Sequence, residues 1–345
     1  LATFGRGLWI LDDVTALRQL DGHTSQSPAT LFKPAGAYRM RRANLSLYGA
    51  QLTKDEPQAA NPPFGAIIDY YLKADASAPV TLEILDADGH LVRRYSSSQK
   101  TQRPDLQKLA IAPDWVLPVT LLSSAAGMHR FVWDLHYALP PLLSRKTNGE
   151  DENYGQDGLW APPGHYTVKL AVNGQTYSQP LEVRQDPRIR VSPEALSKQF
   201  DLARRIEGQR VKLAVASAQV HRVRSQLDGL RGKAVGGIAR RVDALIGKVD
   251  AVAGVEPAAN PANSVGVPAV DFSTMRYLGK AYADLEASVE SADALPTADE
   301  MQAVSRYANQ LDGILATWED LEKSDIPTLN DSLKPAKLEA ITLSN

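Results

Sequence analysis

The side chains able to do chemistry in this chain are scattered along it. Its six histidines, His23, His90, His129, His136, His165 and His221, form neither a His-Glu-x-x-His pair nor a tight ligand set. Asp134 and His136 stand two apart in strand-like sequence, so both point to one face with the spacing of an acid–base pair. A surface hydrogen bond produces the same pattern. The absence of cysteine excludes disulfides, thiolate nucleophiles and cysteine metal sites. Ser96, Ser97, Ser98, Ser123 and Ser124 lie in loop-like stretches with no nucleophile-elbow pattern. Gly5-Arg6-Gly7 lacks the third glycine and the strand–helix context of a dinucleotide loop. No catalytic residue is assigned.

Hard cations need several oxygen ligands converging from one loop. The densest oxygen cluster runs through residues 148–157, where Glu150, Asp151, Glu152 and Asp157 are candidate calcium ligands. A solvated loop reads the same way, and no cofactor is expected beyond such an ion. Asp86-Ala87-Asp88-Gly89 places its glycine too early for an EF-hand and reads as a hairpin turn. Trp115, Tyr137, Tyr154 and Trp160 are loop aromatics that could stack on sugar rings, with ordinary loop packing as the other reading.

The elements that must carry these residues change character near residue 190. Before it, short apolar runs alternate with Gly, Pro, Asn and Asp punctuation, the mark of strands and turns. Strands are expected at residues 8–11, 31–40, 65–72, 80–85, 91–95, 128–137, 166–172 and 175–183. Asp88-Gly89 and Asn173-Gly174 supply hairpin turns. The expected fold for residues 60–190 is an immunoglobulin-like antiparallel β-sandwich with Trp133 as its core aromatic.

After residue 190 the apolar residues recur at three- and four-residue spacing. Ser192-Pro193-Glu194 opens a first helix and Thr297 with Glu300 forms a capping box for a fourth. Val235, Ile238, Val242, Leu245, Val249 and Val252 give the second a near-heptad stripe. Met301, Val304, Leu311, Leu315 and Trp318 are expected to face inward on the fourth. An antiparallel four-helix bundle over residues 191–325, with a linker at 254–270 and a tail at 326–345, is expected. The net charge of -2 hides a segregation. Residues 192–250 carry twelve Lys/Arg against six Asp/Glu, and residues 271–325 carry four against twelve. The simplest reading sets a basic hairpin against an acidic one. The rival, a nucleic-acid surface, is disfavoured because the basic stretch is nearly devoid of aromatics. No apolar run approaches the ~20 residues of a membrane span.

The opening at Leu1 has neither an initiator Met nor a basic-then-apolar leader, so a piece of a longer chain is expected. Phe4-Gly5-Arg6-Gly7-Leu8-Trp9-Ile10-Leu11-Asp12-Asp13, followed by Leu17-Arg18-Gln19-Leu20, resembles the end of the last blade in large bacterial secreted β-propeller proteins. These are the sortilin/VPS10-like, BNR-repeat, glycosyl-hydrolase-like proteins. Asn61-Pro62-Pro63-Phe64-Gly65-Ala66, Asp69-Tyr70-Tyr71-Leu72, Phe131-Val132-Trp133-Asp134-Leu135 and Ala161-Pro162-Pro163-Gly164-His165-Tyr166-Thr167-Val168 extend the resemblance to about residue 190. The middle region is similar to the module of flagellar hook-capping proteins in its strand–turn–Trp-Asp pattern. The resemblance implies a propeller-blade remnant over residues 1–59 and an extracytoplasmic (periplasmic or secreted) location. The family's Ser-x-Asp-x-Gly-x-Thr-Trp boxes do not occur here, so its enzymatic label attaches to no residue of this chain. The expected function is therefore a non-catalytic accessory region for protein interaction or assembly, its partner another protein or the upstream propeller. The alternative is a carbohydrate-binding or glycoside-hydrolase-associated module.

Overall fold

The computed structural model describes residues 2–3, 7–8, 13–41, 63–100, 121–143, 158–254 and 273–343. The chain divides into two compact units: Leu1–Leu139 with Arg145–Pro193, and Pro140–Ser144 with Glu194–Asn345.

The first unit is built from β-strands. β1 (Ala2–Thr3) and β2 (Gly7–Leu8) pair only as a two-residue antiparallel ladder. β3 (Ala29–Leu31), β5 (Ala66–Leu72) and β8 (Gly127–Trp133) form a three-stranded sheet with β5 in the middle. β4 (Ala37–Arg39), β6 (Thr81–Leu85), β7 (Leu91–Ser96), β9 (Gly164–Val172) and β10 (Gln175–Gln185) form a five-stranded sheet in the order β4-β10-β9-β6-β7. Alternation sets which face is buried. Tyr166, Val168, Leu170 and Val172 of β9 point inward, as do Leu82 and Ile84 of β6. They meet Ile68, Tyr70, Phe131 and Trp133 of the smaller sheet in one core. Asn173 and Gly174 both take positive φ, 49° and 82°, as a type I′ turn demands.

This arrangement corrects the expected immunoglobulin-like sandwich. The five-stranded sheet is a curled half-barrel. Its edge strand β4 runs parallel to β10, with Ala37 opposite Val183 and Arg39 opposite Gln185. The local hairpins β6–β7 and β9–β10 form where the turn residues place them. What joins them is non-local, and turn chemistry carries no information about it. Most of the stretch 4–13, which carries the expected propeller-blade remnant, lies outside the described residues, while residues 29–31 and 37–39 enter the two sheets just described. The stretch at 128–137 is a strand only to Trp133, because Leu135 adopts φ 62° and turns the chain.

The second unit is helical: α1 (Pro193–Arg231), α2 (Gly236–Ala253), α3 (Met275–Val289), α4 (Ala298–Asp320) and α5 (Ile326–Leu333). A π-helical turn, Leu321–Asp325, joins α4 to α5. Thr297 and Glu300 complete both halves of the capping box at α4. α3 packs on α4, while α2 lies on α4 and on α5. The four-helix bundle is thereby overturned. The helices are 39, 18, 15, 23 and 8 residues long, and α5, within the expected tail, takes a packing place on α2. Val235 precedes α2 and is 79% exposed; Met301 is exposed on α4, whose buried stripe is Val304, Leu311, Ile314 and Trp318. No helix among the described residues is long and apolar enough to cross a membrane.

Candidate functional site

Of the four aromatics and four carboxylates singled out from the sequence, Tyr137 and Trp160 fall within the described residues. Trp115, Tyr154, Glu150, Asp151, Glu152 and Asp157 lie outside them. Tyr137 and Trp160 come together just past the end of β8. Leu135, in the left-handed region and 1% exposed, reverses the chain so that it can pair with residues 158–161. His136 bridges Trp160, Tyr137 N–H donates to the Leu159 carbonyl (2.8 Å), and Ala161 N–H donates to that of Leu135 (2.8 Å). Gly158 is required by this approach: a Cβ there would lie 2.5 Å from the Tyr137 carbonyl oxygen.

The polar groups around this bridge are engaged with one another. The Trp133 indole donates to the His136 carbonyl at 3.0 Å and meets Tyr166 edge-on. Tyr166 donates its hydroxyl to the Pro162 carbonyl at 2.6 Å, and burial pushes its ionisation up. Asp134 accepts from Arg93 at 3.2 and 3.3 Å and from the His136 backbone N–H at 3.1 Å. The His136 Nδ1 sits 2.8 Å from the Asp134 backbone carbonyl, whereas the nearer carboxylate oxygen is 3.9 Å away. A carbonyl only accepts, so Nδ1 carries the hydrogen and the residue is oriented by the main chain. Asp134 and His136 lie beyond the end of β8, separated by the left-handed Leu135, and their side chains are turned to different partners.

The Trp160 ring is the centre of the cluster. The His136 ring lies 4.1 Å from it, and the guanidinium groups of Arg39 and Arg41 lie 5.4 and 5.3 Å from its centroid. Arg39 is delivered by β4, the strand that pairs in parallel, and it is almost fully buried. Sequence reasoning missed both arginines, because nothing local ties residues 39–41 to residue 160. Tyr137 and Trp160 are half-buried and pack against the core of the unit. What they offer is a partly covered, electropositive aromatic surface.

At the β6–β7 turn, Asp86, Asp88 and His90 bring one ligand atom each within 4.8 Å of one another. Asp86 Oδ1 accepts the backbone N–H groups of Asp88 (3.0 Å) and His90 (2.8 Å), so this carboxylate is part of the turn itself. Asp88 and His90 are exposed, and the group forms no enclosed cage.

The helical unit holds a second titratable cluster. Glu207 of α1 and Glu286 of α3 both have Arg210 as their cationic neighbour, and Arg210 forms an ion pair with Glu286. Burial first, then the Glu286 charge, pushes Glu207 up to about 7; burial also raises Glu286, against the pull of Arg210.

No family model matches the chain, and no curated protein matches it.

Proposed function

We propose that this chain is a non-catalytic accessory region that acts by protein interaction. The observation that carries the reading is the charge segregation of the helical unit. Arg210–Glu286 and Lys248–Asp325 link the basic stretch to the acidic one. Arg224 pairs with Asp228 and Asp250, and Arg231 with Asp243, inside the basic stretch itself. Lys198, Arg204, Arg205 and Lys212 of α1, Lys233 of the α1–α2 turn and Arg240 of α2 stay exposed, and Asp299, Asp312, Glu319 and Asp320 stay exposed on α4. Opposed charged surfaces steer and select a partner more than they stabilise a fold. An extracytoplasmic location belongs to the same reading and rests on the resemblance to secreted propeller proteins.

The test is capture of partners from the source organism by the full chain, in parallel with the charge-reversed Lys198→Glu/Arg204→Glu/Arg205→Glu variant. Specific partners lost on reversal and weakened by salt support the reading. Partners retained equally by both chains sink it. Carbohydrate binding is the alternative, favoured by the pairing of Tyr137 with Trp160. A glycan array showing saturable binding that Trp160→Ala abolishes would put it first.

A further inference from the structure

The helical unit contains a cavity of about 580 Å³ between α2 and α4, whose rim shares Asp320 with the acidic surface of α4. Its size falls in the ~300–1,000 Å³ range of small-molecule sites. Val252 of α2, Ile314 of α4 and Leu321 of the π turn give it apolar walls. π turns within helices recur at functional sites, where the extra residue re-aims side chains. Gly313 lines the cavity at an exposed position of α4, where an added Cβ meets nothing within 4 Å. Gln310 also lines the cavity.

Charge decides the ligand class. Lys248, the cavity's cation, is occupied by Asp325. Asp320 is exposed at the rim, and the nearby Lys323 pairs with Glu319. Lys323 is shared among Glu319, Asp320 and Glu322, so among the described residues carboxylates outnumber cations at the mouth. We propose that this cavity binds a small aromatic amine. Its ring fills the space over Gly313, and its ammonium group lies at Asp320.

Three probes with one apolar body separate the claims: tryptamine, indole and indole-3-acetate, titrated calorimetrically into the full chain. Tryptamine should bind saturably, about three- to fivefold tighter than indole, the factor of a partly exposed ion pair. Indole-3-acetate should be weakest. Gly313→Leu fills the cavity at an exposed helix position and should weaken tryptamine at least tenfold with an unchanged circular dichroism spectrum. Asp320→Asn should bring tryptamine down to the affinity of indole and leave indole unchanged. The absence of saturable binding for all three probes would overturn the proposal. So would equal affinity in Gly313→Leu, or indole-3-acetate binding as tightly as tryptamine. Should Gly313→Leu not fold, the Asp320→Asn comparison decides alone.

Discussion

Gln199 of α1 terminates α3 through Val289: its side-chain amide donates to the Val289 carbonyl at 2.6 Å, and to that of Ala292 just beyond at 2.5 Å. The last carbonyls of a helix have no partner inside it. Here a glutamine that is 4% exposed supplies them from another helix. Gln199→Leu keeps the bulk and leaves the buried Val289 carbonyl without this donor. It should lower stability by about 1–3 kcal/mol in urea unfolding, with the denaturant slope unchanged.

Glu207 makes the helical unit pH-dependent in a defined sense. Its folded-state value, about 7, exceeds the 4.5 of the free side chain. The folded state therefore holds the proton across that window, and stability is full below it and falls as pH rises through it. Glu207→Gln should remove much of this slope. The melting temperature of the variant should exceed that of the wild type at pH 8 and approach it at pH 4. An identical pH profile for the two chains would contradict the assignment.

Tyr282 is fully buried on α3, and its hydroxyl has no hydrogen-bond partner among the described residues. Burial pushes its ionisation up to about 12. Tyr282→Phe retains the edge-on contact with Tyr307 and removes the unsatisfied group. Its melting temperature should match or exceed the wild type, by up to about 1 kcal/mol of stability.

Across the small sheet, Asp69 of β5 accepts two hydrogen bonds from Arg130 of β8, at 2.9 and 3.0 Å. Asp69 is buried, whereas the arginine side chain is 37% exposed. Arg130→Leu strands the carboxylate and should cost about 3 kcal/mol, the low end for breaking a buried pair. Adding Asp69→Leu in the same chain should recover part of that loss, as a double-mutant cycle would measure.

Gly158→Ala tests the bridge that assembles the aromatic cluster. The added Cβ meets the Tyr137 carbonyl oxygen at 2.5 Å, and main chain cannot yield as a side-chain tip does. The variant should melt earlier than the wild type, the opposite of what Gly→Ala does at a helix position. Its tryptophan emission should shift to the red as Trp160 loses its neighbours.

Legibility in the sequence followed the range of the interaction. Asn173-Gly174 dictated the β9–β10 hairpin, and Thr297 with Glu300 dictated the start of α4, because each signal lies within a few residues of its effect. The stripe Met275, Leu278, Tyr282, Leu285 and Val289 of α3 is buried throughout. The parallel pairing of β4 was invisible, since it depends on which edge of the curled sheet is free once β10 has formed. The candidate site divided the same way. Tyr137 and Trp160 stood out as loop aromatics. Their neighbours Arg39 and Arg41 arrive through β4, and the positive φ of Leu135 has no signature in a leucine.

The pairing of Ala37 with Val183 also fixes an order of events on the ribosome. Residues 37–39 leave the exit tunnel about 150 residues before the strand they will join. Until then they have no template in the five-stranded sheet. Arg39 and the Trp160 ring therefore come together late, after the β9–β10 hairpin exists. Closing so long a loop is slow relative to hairpin formation, so the completed sheet should trail its hairpins during folding. A nascent chain halted before residue 175 would hold both Arg39 and the aromatic residues of the site but not β10, the strand against which β4 docks.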